Sequence, residues 1–168
     1  MIWIIIIIAI IAFIIYLGAK GNADIKNVEK FGGLRNKYGV FIDKIMARNS
    51  FYQLHEINSN NIELTNTGMK FRLIEIDKKL QVTWAWNSFG TGKTYNIQWN
   101  FDENENQNKM YETLNKDMAI QTFIDDGMTK PQAEDWLKMS KSTNENEQEK
   151  LALEFSKKHP ELWAKITG

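Results

Sequence analysis

The chain has 168 residues, no cysteine, and 21 basic against 21 acidic side chains. The lack of cysteine excludes a disulfide framework and a lipid-modified cysteine anchor. A near-neutral chain without Lys/Arg clusters interleaved with aromatic residues gives no reason to expect nucleic acid as a partner. The charge is unevenly spread, because residues 20–50 hold seven basic and three acidic side chains, whereas residues 103–168 hold nine and thirteen.

The chain begins with an uncharged run from Ile2 to Leu17 in which ten residues are isoleucine. A helix over residues 1–19 would be roughly 28 Å long, close to the ~30 Å hydrocarbon core of a bilayer. In lipid every backbone N–H must pair within the segment, which imposes the helix. We therefore predict an uncleaved transmembrane anchor over residues 1–19, with the bilayer as its partner. Its representative lipid-facing and interfacial residues are Ile2, Trp3, Ile8, Phe13, Tyr16 and Leu17.

A cleaved signal peptide is the competing interpretation of this run. Signal peptides usually begin with basic residues and end at a small-x-small cleavage site. Here no Lys or Arg precedes the run, and Leu17-Gly18-Ala19 is a poor cleavage site. The basic residues that follow the run favour a cytoplasmic domain by the positive-inside rule. We expect a single-pass protein of the inner membrane with its C-terminal domain in the cytoplasm; an exported periplasmic domain, with the segment cleaved or retained, is the alternative.

After the anchor we predict a basic juxtamembrane linker over residues 20–37 and an α+β domain over residues 38–168. Gly32-Gly33 should break any helix in the linker, and we expect the segment before Gly32 to contribute little to the core. A short helix is predicted from Val40 to Arg48, with Phe41 and Ile45 on its inner side.

The apolar period then changes to two, which predicts an antiparallel meander of four to five strands. The first strands are expected at residues 51–57 and 62–65. Residues 69–77 alternate imperfectly, because Ile74 and Ile76 fall out of phase with Leu73, and this suggests a β-bulge. The next two strands alternate cleanly, and their apolar face consists of Leu80, Val82, Trp84, Trp86, Tyr95, Ile97, Trp99 and Phe101.

The last third of the sequence predicts helices that cover this apolar face. The first helix is expected over residues 106–124, with Met110, Leu114 and Met118 on one side, and Asp126-Gly127 ends it. Residues 129–132 have the form of a capping box that begins a second helix. A third is expected to begin near Ser142 or Thr143 and to end before His159-Pro160, and a last short one is expected over residues 160–166. The fold class is α+β.

Two motifs suggest ligands on first inspection. Residues 90–94, Gly-Thr-Gly-Lys-Thr, resemble the end of a phosphate-binding loop, but the first glycine of that motif is replaced by Asn87 and a strand rather than a helix follows Lys93. Residues 102–106 carry oxygen ligands at alternate positions, but Gln107 and Thr113 stand where a calcium loop needs glycine and glutamate. We expect a hairpin turn and a solvated connection, with no nucleotide, metal or cofactor.

The sequence shows no recognisable catalytic constellation. His55 and His159 lie far apart without metal-ligand spacing, and there is no cysteine nucleophile or GxSxG elbow. We therefore expect a non-enzymatic protein-interaction module of the adaptor or accessory type. A small enzyme of unrecognised type is a further alternative.

The sheet face opposite the tryptophans is the candidate partner surface. Its side chains in the two clearest strands are uncharged, in a chain of which 25% of the residues are charged. Solvated strand faces usually carry charges, and interface cores are depleted of them. Either the predicted helix from Val40 to Arg48 covers this face, or the face docks a protein partner, or the lack of charge is due to chance. The face comprises Gln81, Thr83, Ala85, Asn96 and Gln98, with Asn87 and Asn100 at its margins.

Overall fold

The computed structural model of the chain describes residues 2–87, 92 and 94–167. It has an α+β architecture, in which a long apolar helix precedes a five-stranded antiparallel sheet and further helices follow the sheet. The helices before the sheet are α1 (Ile2–Glu29), α2 (Leu34–Lys37) and α3 (Gly39–Arg48). The strands are β1 (Gln53–Asn58), β2 (Asn61–Asn66), β3 (Met69–Ile76), β4 (Lys79–Asn87) and β5 (Thr94–Asp102). The C-terminal helices are α4 (Gln107–Asp125), α5 (Lys130–Lys141), α6 (Glu145–Lys158) and α7 (Pro160–Thr167).

The chain divides into two compact units, one ending at Tyr111 and the other starting at Glu112. The N-terminal unit contains α1–α3, the sheet and the first turn of α4. The C-terminal unit contains the rest of α4 and helices α5–α7. The predicted domain boundaries at residues 19 and 37 stay predictions.

The five strands form one open sheet in the order β1-β2-β3-β4-β5, and all four neighbouring pairs are antiparallel. We call the face that carries the tryptophans the inner face and the opposite one the outer face. Trp84, Trp86 and Trp99 are buried on the inner face, which confirms their predicted place in the core. The other buried apolar residues of this face are Ile62, Leu64, Phe71, Leu73, Leu80, Val82 and Phe101.

The predicted bulge in the third strand is wrong. The pairing of β3 with β4 runs without interruption from Met69 to Ile76, and the irregularity lies instead in β1, between Glu56 and Asn58. Because the alternation is unbroken, Glu75 lies on the inner face of the sheet, the same face as Phe71 and Leu73. The apparent change of phase arises because Glu75, a charged residue, occupies an inner position, whereas the apolar Ile74 and Ile76 occupy outer ones.

Helix α3 packs on the inner face of the sheet. The ring of Phe41 meets that of Phe101 edge to face, with 5.9 Å between centroids, and Ile42 and Ile45 are buried beside it. The hypothesis that the helix over residues 40–48 covers the outer face is therefore wrong. Its predicted inner residues, Phe41 and Ile45, are confirmed as buried.

Helix α1 continues without a break from the apolar run to Glu29. Val28, in its last turn, is fully buried, as is Leu34 in α2. The expectation that the segment before Gly32 contributes little to the core is therefore wrong. Gly32 and Gly33, with φ of 79° and 99°, end α1 by a turn in the left-handed region, where glycine is favoured.

Two small cores hold the C-terminal unit together. Ile120 of α4 packs with Ala133 and Leu137 of α5, and the rings of Trp136 and Trp163 both contact that of Phe155 from α6. The backbone N–H of Thr129 donates to Gln132 Oε1 at 2.8 Å, so the predicted capping box opens α5. Helix α6 is capped by Asn144, close to the start that was predicted near Ser142 or Thr143.

Candidate functional site: a buried ionic cluster at the end of the apolar helix

A cluster of polar side chains lies where α1 meets the inner face of the sheet. We call it the Glu75 cluster. Asn27 lies in the last turn of α1, Lys37 ends α2, and Tyr38 lies between α2 and α3. Glu75 lies in strand β3, and Glu103 directly follows β5.

The carboxylate of Glu75 is fully buried and accepts hydrogen bonds from three side chains. Asn27 Nδ2 donates to Oε1 at 2.9 Å, and Lys37 Nζ donates to the same oxygen at 2.8 Å. The Tyr38 hydroxyl donates to Oε2 at 3.0 Å. A buried carboxylate is tolerated only when it is paired and hydrogen-bonded, and these contacts meet that condition.

Glu103 extends the cluster towards solvent. Its Oε2 accepts from Asn27 Nδ2 and from Lys37 Nζ, both at 3.1 Å. The hydrogen bond from Lys37, with that from Asn27, holds the pKa of the Glu103 carboxyl below its usual range. Lys37 thus lies between two carboxylates with its side chain only 7% exposed.

Tyr38 stays protonated in this setting. Burial raises the pKa of its hydroxyl well above the usual value, and the negative charge of Glu75 adds to the effect. The hydroxyl therefore acts as a hydrogen-bond donor to Glu75 across the physiological pH range.

The geometry of the cluster suits a mechanical role. Lys20 Nζ forms an exposed ion pair with Asp77 at 2.7 Å, in the turn between β3 and β4. Lys20 and Asn27 are seven residues apart, roughly 10 Å along the helix axis. Asn27 and the buried Val28 attach the last turn of α1 to the sheet, and the exposed Lys20–Asp77 pair is a second, weaker contact along the helix.

Helix α1 is the only candidate membrane span in the part of the chain that the structure describes. The candidate span is assigned to residues 5–29, and its most apolar 18-residue window, with a mean hydropathy of 2.1, is not buried within the protein. The same length and composition are also compatible with a signal sequence. Of the predicted anchor residues, Trp3, Ile8, Phe13, Tyr16 and Leu17 are exposed, and Ile2 begins the helix.

The predicted partner surface is brought together on the outer face of β4 and β5. Thr83 pairs with Gln98, and Ala85 pairs with Asn96. Gln81 Nε2 donates to Asn100 Oδ1 at 3.4 Å. The β5 residues of this set are exposed and those of β4 are half-buried. We call this set, Gln81, Thr83, Ala85, Asn96, Gln98 and Asn100, the amide strip.

The other half of the outer face is charged. Oε1 of Glu63 in β2 forms an ion pair with Nζ of Lys70 in β3 at 2.7 Å and lies 3.9 Å from Nε of Arg72. The lack of charge is therefore confined to the strip on β4 and β5 and is not a property of the whole outer face.

The remaining motifs fall in different places. Lys93 and most of the glycine-containing turn lie outside the described residues, although Asn87 and Thr94 pair at the ends of the flanking strands. His55 Nε2 lies 3.1 Å from Thr65 Oγ1 in the sheet, whereas His159 Nε2 lies 3.3 Å from Asp135 Oδ2 in the C-terminal unit. Within residues 2–87, 92 and 94–167, no group of three or more His, Asp or Glu side chains could hold a metal ion.

The sequence reasoning missed every member of the Glu75 cluster. One signal was present, since strict alternation in β3 assigns Glu75 to the apolar face. Its partners Lys37 and Asn27 lie 38 and 48 residues away in the chain, and no local pattern points to them.

The comparisons with known proteins identify no relative: no family model, curated protein or solved structure matches the chain. The class of protein is thus defined by the fold alone, an α+β protein with one long apolar helix at its N-terminus.

Proposed function

We propose that the chain is a single-pass, membrane-tethered, non-enzymatic module that docks a protein partner close to the bilayer. The observation that carries the proposal is the continuity of α1. Its apolar part is of bilayer length, and the same helix runs on to a last turn that is part of the domain core through Asn27 and Val28. A flexible linker would leave the domain free to rotate. A continuous helix whose last turn is packed into the domain would instead present a fixed surface to a partner.

The non-enzymatic part of the proposal is supported by the saturation of the ionic cluster. Both oxygens of Glu75 and the ammonium of Lys37 are engaged by other side chains. A general acid or base needs an open position for the reacting group, and here the hydrogen bonds serve to join helices to strands.

The docking surface we propose is the amide strip. Its side chains offer both hydrogen-bond donors and acceptors without the desolvation cost of a charge. The partner is a protein of the same membrane or of its cytoplasmic side, since the basic residues of the segment after the apolar run favour a cytoplasmic domain.

Topology is tested with reporters fused to the C-terminus of the full-length chain. We expect a fluorescent fusion to be bright and a periplasmic phosphatase fusion to be inactive. The reverse pattern would support the exported alternative and contradict the proposed orientation.

Docking is tested by placing a photo-crosslinking amino acid at Gln98 in the full-length chain in cell membranes. Ala85→Glu puts a charge at the centre of the amide strip, and we expect it to remove the crosslinked species while the domain stays folded. Ala47→Glu is the matched control, because Ala47 is exposed near the end of α3. Crosslinks that persist in Ala85→Glu at the level of the control would argue against this surface.

A further inference from the structure

An open groove lies between the three last helices of the C-terminal unit. Its volume is about 410 Å³, within the range of sites that bind small ligands or the anchoring side chains of a peptide. Helices α5, α6 and α7 all contribute to its walls. The apolar lining consists of Trp136, Met139, Ala152, Trp163 and Ile166.

The aromatic walls of the groove are held in place by packing. Trp136 meets Phe155 edge to face at 5.4 Å between centroids, and Trp163 lies 6.2 Å from the same ring. Aromatic side chains with few rotatable bonds lose little entropy on binding and are enriched at the centres of interfaces. The groove is thus preformed for an apolar side chain.

The polar lining of the groove is acidic. It consists of Glu145, Gln148 and Glu149, and no cation is found among the described residues that line the groove. Glu145 is in the first turn of α6, where the helix dipole favours an acidic residue. Glu149 lies beyond that turn, so the dipole does not account for it. Within the described residues neither carboxylate forms an ion pair.

We propose that this groove binds a basic amphipathic helix of a partner protein. Apolar side chains at helical spacing would enter between Trp136 and Trp163, and a Lys or Arg on the same helix would lie beside Glu149. Helix-in-groove recognition of this kind uses anchors at i, i+3 or i+4 and i+7. The charge of the lining selects a basic helix over an acidic one. This site lies outside the amide strip and does not depend on the membrane tether.

The test uses the full-length chain in nanodiscs of zwitterionic lipid, with empty nanodiscs as background. The probe is a labelled synthetic helix of leucine and lysine, and its binding is followed by fluorescence anisotropy. We expect saturable binding that weakens as salt is raised. A peptide of the same leucine pattern with glutamate in place of lysine should not bind.

Three variants assign the binding to the groove. Glu149→Lys should weaken it about tenfold, since it reverses the charge beside the peptide's cation. Ala152→Arg, which fills the groove, should abolish it. Glu154→Lys makes the same charge change at an exposed position of α6, roughly 140° around the helix from Glu149, and should leave the affinity unchanged.

Several outcomes would overturn the proposal. They are equal binding of the lysine and glutamate peptides, equal affinities of Glu149→Lys and Glu154→Lys, or no binding beyond that of empty nanodiscs. Loss of binding in Ala152→Arg with no effect of Glu149→Lys would indicate a purely apolar ligand and would also contradict the basic helix.

Discussion

Two ionic clusters, one in each unit, combine lysine with carboxylate side chains, and they differ in how deeply those side chains are buried. In the Glu75 cluster a lysine lies between two carboxylates at 2.8 and 3.1 Å. In the C-terminal unit, Lys158 and His159 both approach Asp135, at 3.2 and 3.3 Å. We call the second group the Asp135 cluster. The distances differ little, so distance alone does not rank the two.

Exposure separates the clusters clearly. The side chains of Glu75 and Lys37 are 0% and 7% exposed, whereas those of Asp135 and Lys158 are 34% and 61% exposed. Water competes for the exposed pair and screens it, so its net contribution is small. The buried pair has no water to replace a lost partner. We therefore expect the first cluster to be essential to its unit and the second to be nearly dispensable.

The largest expected effect is that of Lys37→Met, which leaves the buried Glu75 without a cation. We expect unfolding free energy to fall by about 3–5 kcal/mol, the usual cost of leaving a buried charge unpaired. Urea unfolding of the full-length chain in mild detergent, followed by tryptophan fluorescence, measures it. Lys30→Met, at an exposed position, should change the stability by less than about 0.5 kcal/mol. A loss below about 1 kcal/mol for Lys37→Met would mean that the pair contributes little.

The next effect is the recovery expected when the carboxylate is removed as well. Glu75→Gln keeps the shape of the side chain. Its amide oxygen can accept the hydrogen bond from Asn27, and its NH2 group can donate to the Tyr38 hydroxyl, which is able to accept. Combined with Lys37→Met, it should restore roughly 1–3 kcal/mol of the loss, the coupling typical of residues in direct contact. The same urea series on both single variants and the double variant completes the cycle. Purely additive losses would show that the two side chains do not interact.

Much of the fold could be predicted from the sequence, because its signals are local. The change of apolar period from 3.6 to 2 located the strands, and the capping box located the start of α5. The Glu75 cluster could not be predicted in this way. Its five side chains meet only after α1, α2, β3 and the end of β5 have packed, and polar residues at such positions are usually solvated loop residues.

The failure at the third strand has the same physical origin. The sequence 69–76 contains both alternation and two out-of-phase isoleucines, and a bulge explains them without burying a charge. The structure buries Glu75 and leaves Ile76 exposed, because Lys37, Asn27 and Tyr38 compensate the carboxylate. The position of helix α3 in the chain was predicted correctly, but the sheet face that it covers was not. That face depends on how the chain crosses from α3 into the sheet, and the periodicity of apolar residues carries no information about it.

A smaller effect is expected from acid titration of Glu103. Its pKa is lowered in the folded protein, mainly by the hydrogen bond from Lys37 and then by that from Asn27. A carboxyl with a depressed folded pKa stabilises the fold above its unfolded pKa, about 4.3, and loses that contribution as pH falls through the folded value. The stability difference between the wild type and Glu103→Gln should therefore be constant from pH 7 to about pH 5 and shrink below about pH 4. A difference that grows towards acid would contradict the assignment.

The smallest effect is expected from Lys158→Met, the same substitution as Lys37→Met made in the exposed cluster. Burial acts against ionisation of Asp135, but the hydrogen bonds from His159 and Lys158 outweigh it and lower the pKa of this carboxyl. Because His159 remains beside Asp135 and water reaches both partners, we expect a loss of no more than about 0.5–1 kcal/mol.

The dependence of stability on salt concentration provides a second comparison of Lys37→Met and Lys158→Met. Exposed ion pairs weaken when the ionic strength rises, whereas buried ones are screened much less. The urea series repeated in high salt should abolish the small effect of Lys158→Met and leave that of Lys37→Met largely intact. If both substitutions cost the same and respond alike to salt, burial does not distinguish the clusters. The attachment of α1 to the sheet would then need another cause, and Val28, fully buried in the last turn of the helix, is the side chain that would have to supply it.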